Sequence, residues 1–222
     1  MTSTIHLPTL AILGGTGKEG PGLALRWAKA GYKIIIGSRQ AEKAQTAAAE
    51  INQKLGLDTV SGLENAAAAR QADISILTVV QSAHQEAILS VKDALQGKIL
   101  VDATARVDFR NPKPPEPPSA ARQAQDSLGT GVRVVAAFQN VPAHALKKDL
   151  DQPLEAEVLV CSDDLYAAQA VMELARGGGM RAYYAGDLDN ALTVEGLTAL
   201  LIAVNRYYKV TTASIRIAGL GE

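Results

Sequence analysis

Short apolar runs alternate with helical patterns along this chain, and a glycine-rich turn follows the first run at once. Thr9-Leu10-Ala11-Ile12-Leu13 reads as a strand, and Gly14-Gly15-Thr16-Gly17-Lys18-Glu19-Gly20 stands directly behind it. Such alternation is the signature of βαβ units, which build a parallel sheet covered by helices. Further strands are expected at Lys33-Ile34-Ile35-Ile36, Asp73 to Val80, Lys98 to Ala103 and Arg133 to Phe138, with the short Asp58-Thr59-Val60 as another candidate. Between them Ala44, Ala48, Ile51 and Leu55 share one helical face, as do Ala87, Ile88, Val91 and Leu95. The fold expected is α/β: a Rossmann-type doubly wound, mainly parallel sheet with a smaller C-terminal extension that passes from α/β to helical.

The segment Asn111 to Pro118 is too rich in proline for a helix or a central strand, because proline lacks the N–H donor and restricts the residue before it. It reads as a stiff surface loop, with Ser119 as N-cap of the helix that follows. Beyond Pro142 the pattern changes. This divides the chain into a dinucleotide-binding domain over 1–142 and a smaller domain over 143–222, which is expected to complete a second substrate cleft. The smaller unit reads as a strand from Glu155 to Cys161, then a helix with Leu165, Ala168, Met172 and Ala175 on one face. Gly177-Gly178-Gly179 stops that helix, and Arg181 to Ala185 gives another short strand. The last helix, from about Asn190 to Lys209, is apolar on most of its circumference through Leu197, Leu200, Leu201, Ile202 and Val204. Such a helix must be buried on more than one side, so a homodimer is expected, with Leu201 on its contact face.

Composition narrows the function classes. A hydrophobic fraction of 47% with 20% charged residues suits a folded globular chain of 222 residues. The formal net charge of −1 is interspersed, which offers no basic face to nucleic acid or to an anionic membrane. The single cysteine, Cys161, excludes an intrachain disulfide framework and a cysteine-only metal cage, in agreement with a reducing cytoplasm. Within Glu157-Val158-Leu159-Val160-Cys161 it reads as a buried core thiol rather than a nucleophile. No targeting pattern opens the chain, and the nearly apolar stretch Leu197 to Val204 is far too short to span a bilayer. The expected setting is therefore cytoplasmic, without membrane, nucleic acid or metal.

Gly15, Gly17 and Gly20 make a G-x-G-x-x-G motif placed between a strand and a helix. Small residues there let the backbone approach a pyrophosphate, whose charge meets the free N–H groups and positive dipole end of the helix. Thr16, Lys18 and Glu19 belong to the same loop, and Pro21 suits a first helical turn. After the second strand an acidic residue would hold the ribose hydroxyls of NAD and repel a 2'-phosphate. Here that strand ends Gly37-Ser38-Arg39, with Lys43 one turn later and no carboxylate from Gly37 to Gln40. Arg39 can fork onto a phosphate dianion while Ser38 donates and Lys43 adds charge, each charge-assisted bond contributing roughly 1.5–3 kcal/mol net. NADP(H) is the expected cofactor; a solvated helix start is the plainer reading of the two cations.

Taken together, Ile12-Leu13-Gly14-Gly15-Thr16-Gly17 and Ile36-Gly37-Ser38-Arg39, with Lys43-Ala44 behind, resemble the NADP-dependent coenzyme F420 reductases, also called F420H2:NADP oxidoreductases. The likeness returns at Asp73 to Val79, at Gly97 to Asp102, at Val134 to Ala143, at Cys161-Ser162-Asp163-Asp164, and in the tail at Asn205 to Lys209 and Ile215-Arg216-Ile217. It implies hydride transfer between NADP(H) and the deazaflavin coenzyme F420 as co-substrate. Members of that family often carry Pro and an aromatic residue where this chain has Val80 and Gln81, and often a histidine in place of Gln139.

In an open parallel sheet, ligands sit outside the carboxyl ends of the strands. Those ends are Thr78, Val79, Val80 and Gln81; Ala103 and Thr104; and Gln139, Asn140, Val141 and Pro142. They hold no Ser-His-Asp set, no candidate acid and base carboxylates and no metal-ligand cluster. Hydride transfer between two rings needs them stacked, aligned and dry, and orientation alone can lower the barrier by roughly 7–11 kcal/mol. Val79, Val80, Val141 and Pro142 suit the ring surfaces, with Gln139 and Asn140 to hydrogen-bond ring carbonyls or the carboxamide. Strand-end packing is the plainer alternative. The resemblance assigns the anionic tail of F420 to C-terminal cations, for which Arg206, Lys209 and Arg216 are available. His84 and His144 lie near the strand ends and can reach the site or merely cap and solvate; His6 precedes the first strand. Competing readings are an NADPH-dependent ferric or flavin reductase, an imine or β-hydroxyacid-type reductase, and a non-catalytic NADP(H) sensor.

Overall fold

The computed structural model describes residues 7–220. Six strands, β1 (Leu10–Leu13), β2 (Ile34–Ser38), β3 (Val60–Glu64), β4 (Ile74–Leu77), β5 (Ile99–Asp102) and β6 (Arg133–Ala136), form one parallel sheet in the order β3-β2-β1-β4-β5-β6. This is the doubly wound Rossmann order, in which a crevice opens at the carboxyl ends where the order reverses, between β1 and β4. The inner strands are largely apolar because both faces are covered, whereas at the edge β3 buries only Val60. Alternation then sorts them: Leu10, Ile12, Ile34, Ile36 and Ile76 face α1 (Gly20–Lys29) and α2 (Ala41–Leu55). Ala11, Leu13, Ile35, Leu77 and Leu100 face the opposite layer of α3 (Asn65–Gln71), α4 (Gln81–Val91) and α5 (Ala120–Leu128).

Three local details differ from the sequence reading. The candidate strand at Asp58 begins only at Val60 and runs on to Glu64. Helix α3 was not anticipated, since Asn65-Ala-Ala-Ala-Ala-Arg-Gln has high helix propensity but no spaced large apolar residue to reveal a period. Leu95 lies in a 3-10 turn, Lys92–Leu95, rather than in α4 itself. On the sheet edge, α2 rests directly on β3: a Cβ on Gly62 would stand 2.3 Å from the backbone of Ala44 and Gln45. The proline-rich loop is irregular as expected, and Ser119 caps α5 by accepting the Arg122 N–H at 3.1 Å.

Beyond Pro142, β7 (Leu154–Val160) and β8 (Met180–Tyr184) form a separate parallel pair joined through α6 (Leu165–Gly177). The end of β7 hooks onto β6 through an antiparallel bridge, Ala136 with Cys161, whose two N–H···O bonds measure 2.8 and 3.0 Å. Cys161 is fully buried, and burial with Asp187 nearby pushes its thiol up to about 12, which suits core packing rather than nucleophilic chemistry. The buried face of α6 is Ala167, Ala168, Val171, Leu174 and Ala175, whereas Leu165 is 61% exposed. Two apolar stripes at helical spacing were available, and packing selects the one rich in alanine, which lets α6 lie closer. Buried Arg26 stitches the units together, donating to the carbonyls of Leu146 and Lys148 at 3.1 Å and of Gln152 at 3.3 Å. The apolar core is continuous from Leu10 and Trp27 to Val158 and Leu174.

Helix α7 (Ala191–Tyr208) returns to the first unit, beside α5. Glu195, almost wholly buried, accepts from the main chain of Arg106 at 2.6 Å, from Arg106 Nε at 2.9 Å and from the Ala120 N–H at 2.9 Å. Leu201 packs within the chain, so it is not on the free face; Leu200, 56% exposed, is. No described helix is long and apolar enough to cross a membrane.

Candidate active site

A cavity of about 650 Å³ opens at the carboxyl ends of β1, β2 and β4. Gly14, Thr16 and Gly17 line it from the loop, Ser38, Arg39 and Lys43 from the far wall, and Thr78, Val79 and Val80 from behind β4. The loop is pressed against its own helix: a Cβ on Gly20 would lie 2.7 Å from the Cα of Gly15 and 2.9 Å from Thr78 Oγ1. No side chain caps the start of α1, which leaves the first-turn N–H groups available to an anion. Asn65, which no motif or periodicity marks, accepts the Gly14 N–H at 3.2 Å and lines the same cavity.

The cation wall fits a 2'-phosphate. Ser38 Oγ accepts the Gln40 N–H at 3.3 Å and keeps its own hydrogen to donate. Arg39 and Lys43 are exposed, and among the described residues neither takes part in an ion pair. Lys18 is exposed and off the cavity wall, while Glu19 turns inward. Part of Glu19 stays in solvent, yet its Oε1 is covered and has no partner; burial pushes the carboxyl from 4.5 to about 8.

Across the crevice, a turn follows β6. Phe138, wholly buried, holds a left-handed backbone with φ of 76°, a conformation unfavourable for a large side chain. Gln139 Nε2 donates to the Asp102 carbonyl at 2.9 Å and Asn140 Nδ2 to the Glu157 carbonyl at 2.6 Å. Their amide oxygens, with Thr104 Oγ1 at the end of β5, are buried and unpartnered, each a cost of about 1–3 kcal/mol that a donor would relieve. Since the amide nitrogens already serve the main chain, Gln139 and Asn140 are left to accept, which suits the carboxamide N–H, one of the two partners expected from sequence, better than a ring carbonyl. Thr198 of α7 donates to the Gln139 carbonyl at 2.8 Å, bringing the C-terminal helix to the turn.

Val79 and Val80 form an apolar ledge, Val80 being 63% exposed, and Pro142 is partly exposed. Val141 packs inside the core at 6% exposure and offers little surface to a ring. His84 is buried on α4 with Nε2 2.6 Å from Asp102 Oδ2, so it faces the protein interior; His144 is exposed, and His6 lies outside the described residues. Arg206 turns to the carbonyls of Phe109 and Arg110. Lys209 and Arg216 are exposed, the latter between two residues whose main chains bond to Glu157 of β7. No group of three His, Cys, Asp or Glu among the described residues is placed to hold a metal.

A phosphate loop in a Rossmann sheet, a cation wall for a 2'-phosphate and an apolar ledge beside them define an NADP(H)-dependent oxidoreductase. The family profile "NADP oxidoreductase coenzyme F420-dependent" matches residues 9–106. The F420-dependent NADP reductase of Methanothermobacter thermautotrophicus is 40% identical, covering 96% of each chain; that of Methanocaldococcus jannaschii is 43% identical, covering 95% of this chain and 98% of its own. A solved Arthrobacter structure, named for an F420-dependent NADP-reductase, superposes with a TM-score of 0.79 at 26% identity over 96% of this chain and all of that one. The chain belongs to the F420-dependent NADP reductase family. A rat metalloreductase, STEAP3, is 29% identical over 88% of this chain, which spans only 37% of that protein.

Proposed function

We propose that this enzyme transfers a hydride between NADP(H) and coenzyme F420 across the crevice between the Gly14–Lys43 wall and the Phe138–Pro142 turn. Gly15, Gly17 and the first turn of α1 receive the pyrophosphate, and Ser38, Arg39 and Lys43 receive the 2'-phosphate. Thr78 and the Val79–Val80 ledge back the nicotinamide, while Gln139, Asn140 and Pro142 border the deazaflavin. When bound, the two cofactors supply hydride donor and acceptor carbons, and the proton that completes deazaflavin reduction comes from solvent. The chain itself binds, aligns and dries the rings.

The observation that carries this reading is the apolar ledge beside a phosphate loop, faced by buried amides rather than by an acid and a base. Stopped-flow mixing of NADPH with oxidised F420 tests it through loss of the deazaflavin absorbance, alongside free flavin and a ferric chelate. Fast reduction of either alternative with none of F420 would transfer the assignment to a flavin or ferric reductase. NADPH binding without reduction of any acceptor would indicate a sensor.

The remaining assignments belong to the same proposal. Residues 1–142 carry the dinucleotide and 143–222 complete the acceptor cleft. Lys209 and Arg216 receive the F420 tail, with Arg206 joining them when it leaves its loop carbonyls. Leu200, Tyr207 and Tyr208, all exposed, meet a second copy in a cytoplasmic homodimer.

A further inference from the structure

Asp102 stands where the two halves of the crevice meet. Its carboxylate is wholly buried, taking His84 Nε2 at 2.6 Å on Oδ2 and the Thr104 N–H at 2.9 Å on Oδ1. Its main-chain oxygen takes Gln139 Nε2 at 2.9 Å. One residue is thus bonded to α4, whose Ala83 and Ala87 line the dinucleotide cavity just beyond Val80, and to the turn that borders the acceptor. The cation wall on β2 assigns the adenosine to the β1–β3 half of the sheet, which leaves the β4–β6 half, with Asp102 on its central strand, to the nicotinamide. A hydrogen bond in so dry a setting is strong when satisfied and holds its partners in one arrangement.

We infer that Asp102, clamped by His84, is a positioning residue that sets the spacing between the nicotinamide ledge on β4–α4 and the Gln139 turn. The inference rests on the hydride-transfer reading above. Neither side chain is exposed to a ligand, so loosening the clamp changes ring separation without removing a binding contact. A misplacement near one ångström suffices to slow a reaction that depends on near-attack distance about a hundredfold.

The test compares Asp102→Ala and His84→Ala with the conservative Asp102→Asn, which keeps an oxygen for Thr104 and a polar partner for His84. Three quantities are read: the single-turnover rate from NADPH and from C4-deuterated NADPH to F420, the NADPH dissociation constant, and backbone amide exchange. The alanine variants should transfer hydride about 10- to 100-fold more slowly with an altered isotope effect, while NADPH affinity stays within a few-fold. Amide exchange should rise together at 80–84 and 138–141 and stay unchanged in β1–β3. Asp102→Asn should recover most of the rate. Alanine variants that fold and transfer at the native rate would overturn the inference, as would rate and affinity falling in parallel with exchange rising across the whole sheet. If Asp102→Ala does not fold, His84→Gln carries the same comparison. Failure of the hydride-transfer reading shows separately, in the unmodified enzyme, as no reduction of F420.

Discussion

Trp27 meets Phe138 edge to face, with ring centroids 5.6 Å apart and planes at 82°. Trp27 is itself fixed by its indole N–H, which donates to the Leu174 carbonyl at 2.8 Å. The left-handed residue that starts the acceptor turn is therefore braced from α1 and, through it, from α6. Trp27→Phe keeps an aromatic edge but removes that N–H and leaves a gap. It should destabilise the fold by about 2–4 kcal/mol in urea titration. Hydride transfer should slow while the NADPH dissociation constant holds; an unchanged rate would mean that the turn keeps its shape without the brace.

Arg39 is the exposed end of the 2'-phosphate wall. Arg39→Ala should weaken NADPH by about 10- to 100-fold, the size of one charge-assisted interaction, and leave NADH nearly unaffected. Fluorescence titration with both dinucleotides checks this, and equal losses would remove Arg39 from its role.

Glu19 makes stability and binding depend on pH. Below 4.5 its carboxyl is protonated in folded and unfolded chains alike; as pH rises from there toward about 8 only the unfolded chain ionises, so stability falls across that window and levels off above it. Glu19→Gln should remove this slope, matching the native melting temperature near the acid end and exceeding it by several degrees at the alkaline end, at roughly 2–4 °C per kcal/mol. NADPH affinity of the native enzyme should also fall as pH passes about 8, because an ionised Glu19 then lies in the pyrophosphate loop, and the variant should lack that fall. Parallel pH profiles for the two proteins would count against it.

Leu200 and Leu201 separate assembly from folding. The exposed Leu200 tolerates charge within one chain, so Leu200→Glu should yield a folded monomer by light scattering where the unmodified protein is a dimer at micromolar concentration. Leu201→Glu, by contrast, places a carboxylate in the core and should prevent folding. A native monomer would end the dimer proposal.

Local signals carried most of the frame. Four of the six sheet strands carry an unbroken aliphatic run and β4 is broken only by Ser75; the glycine loop follows the first of them, and Ser38, Arg39 and Lys43 fall on one wall because a strand end and one helical turn are short-range geometry. What stayed hidden depends on partners far along the chain. His84 bonds to a residue 18 positions away and Glu195 to one 89 positions away, and no periodicity announces either. Val141 and Leu165 show the other limit: pattern identifies an apolar residue, while packing decides whether it covers a neighbour or meets solvent.

At Gly62 nothing but hydrogen separates α2 from β3, so the height of Lys43 above Arg39 is gauged by bare backbone rather than by any side chain. A gauge of that kind has no intermediate settings. Laboratory selection for NADH use should accordingly return replacements at Ser38, Arg39 and Lys43, where charge can be traded gradually. Position 62 has no such gradual route, because even an added methyl would lift the whole helix and take the cation wall with it.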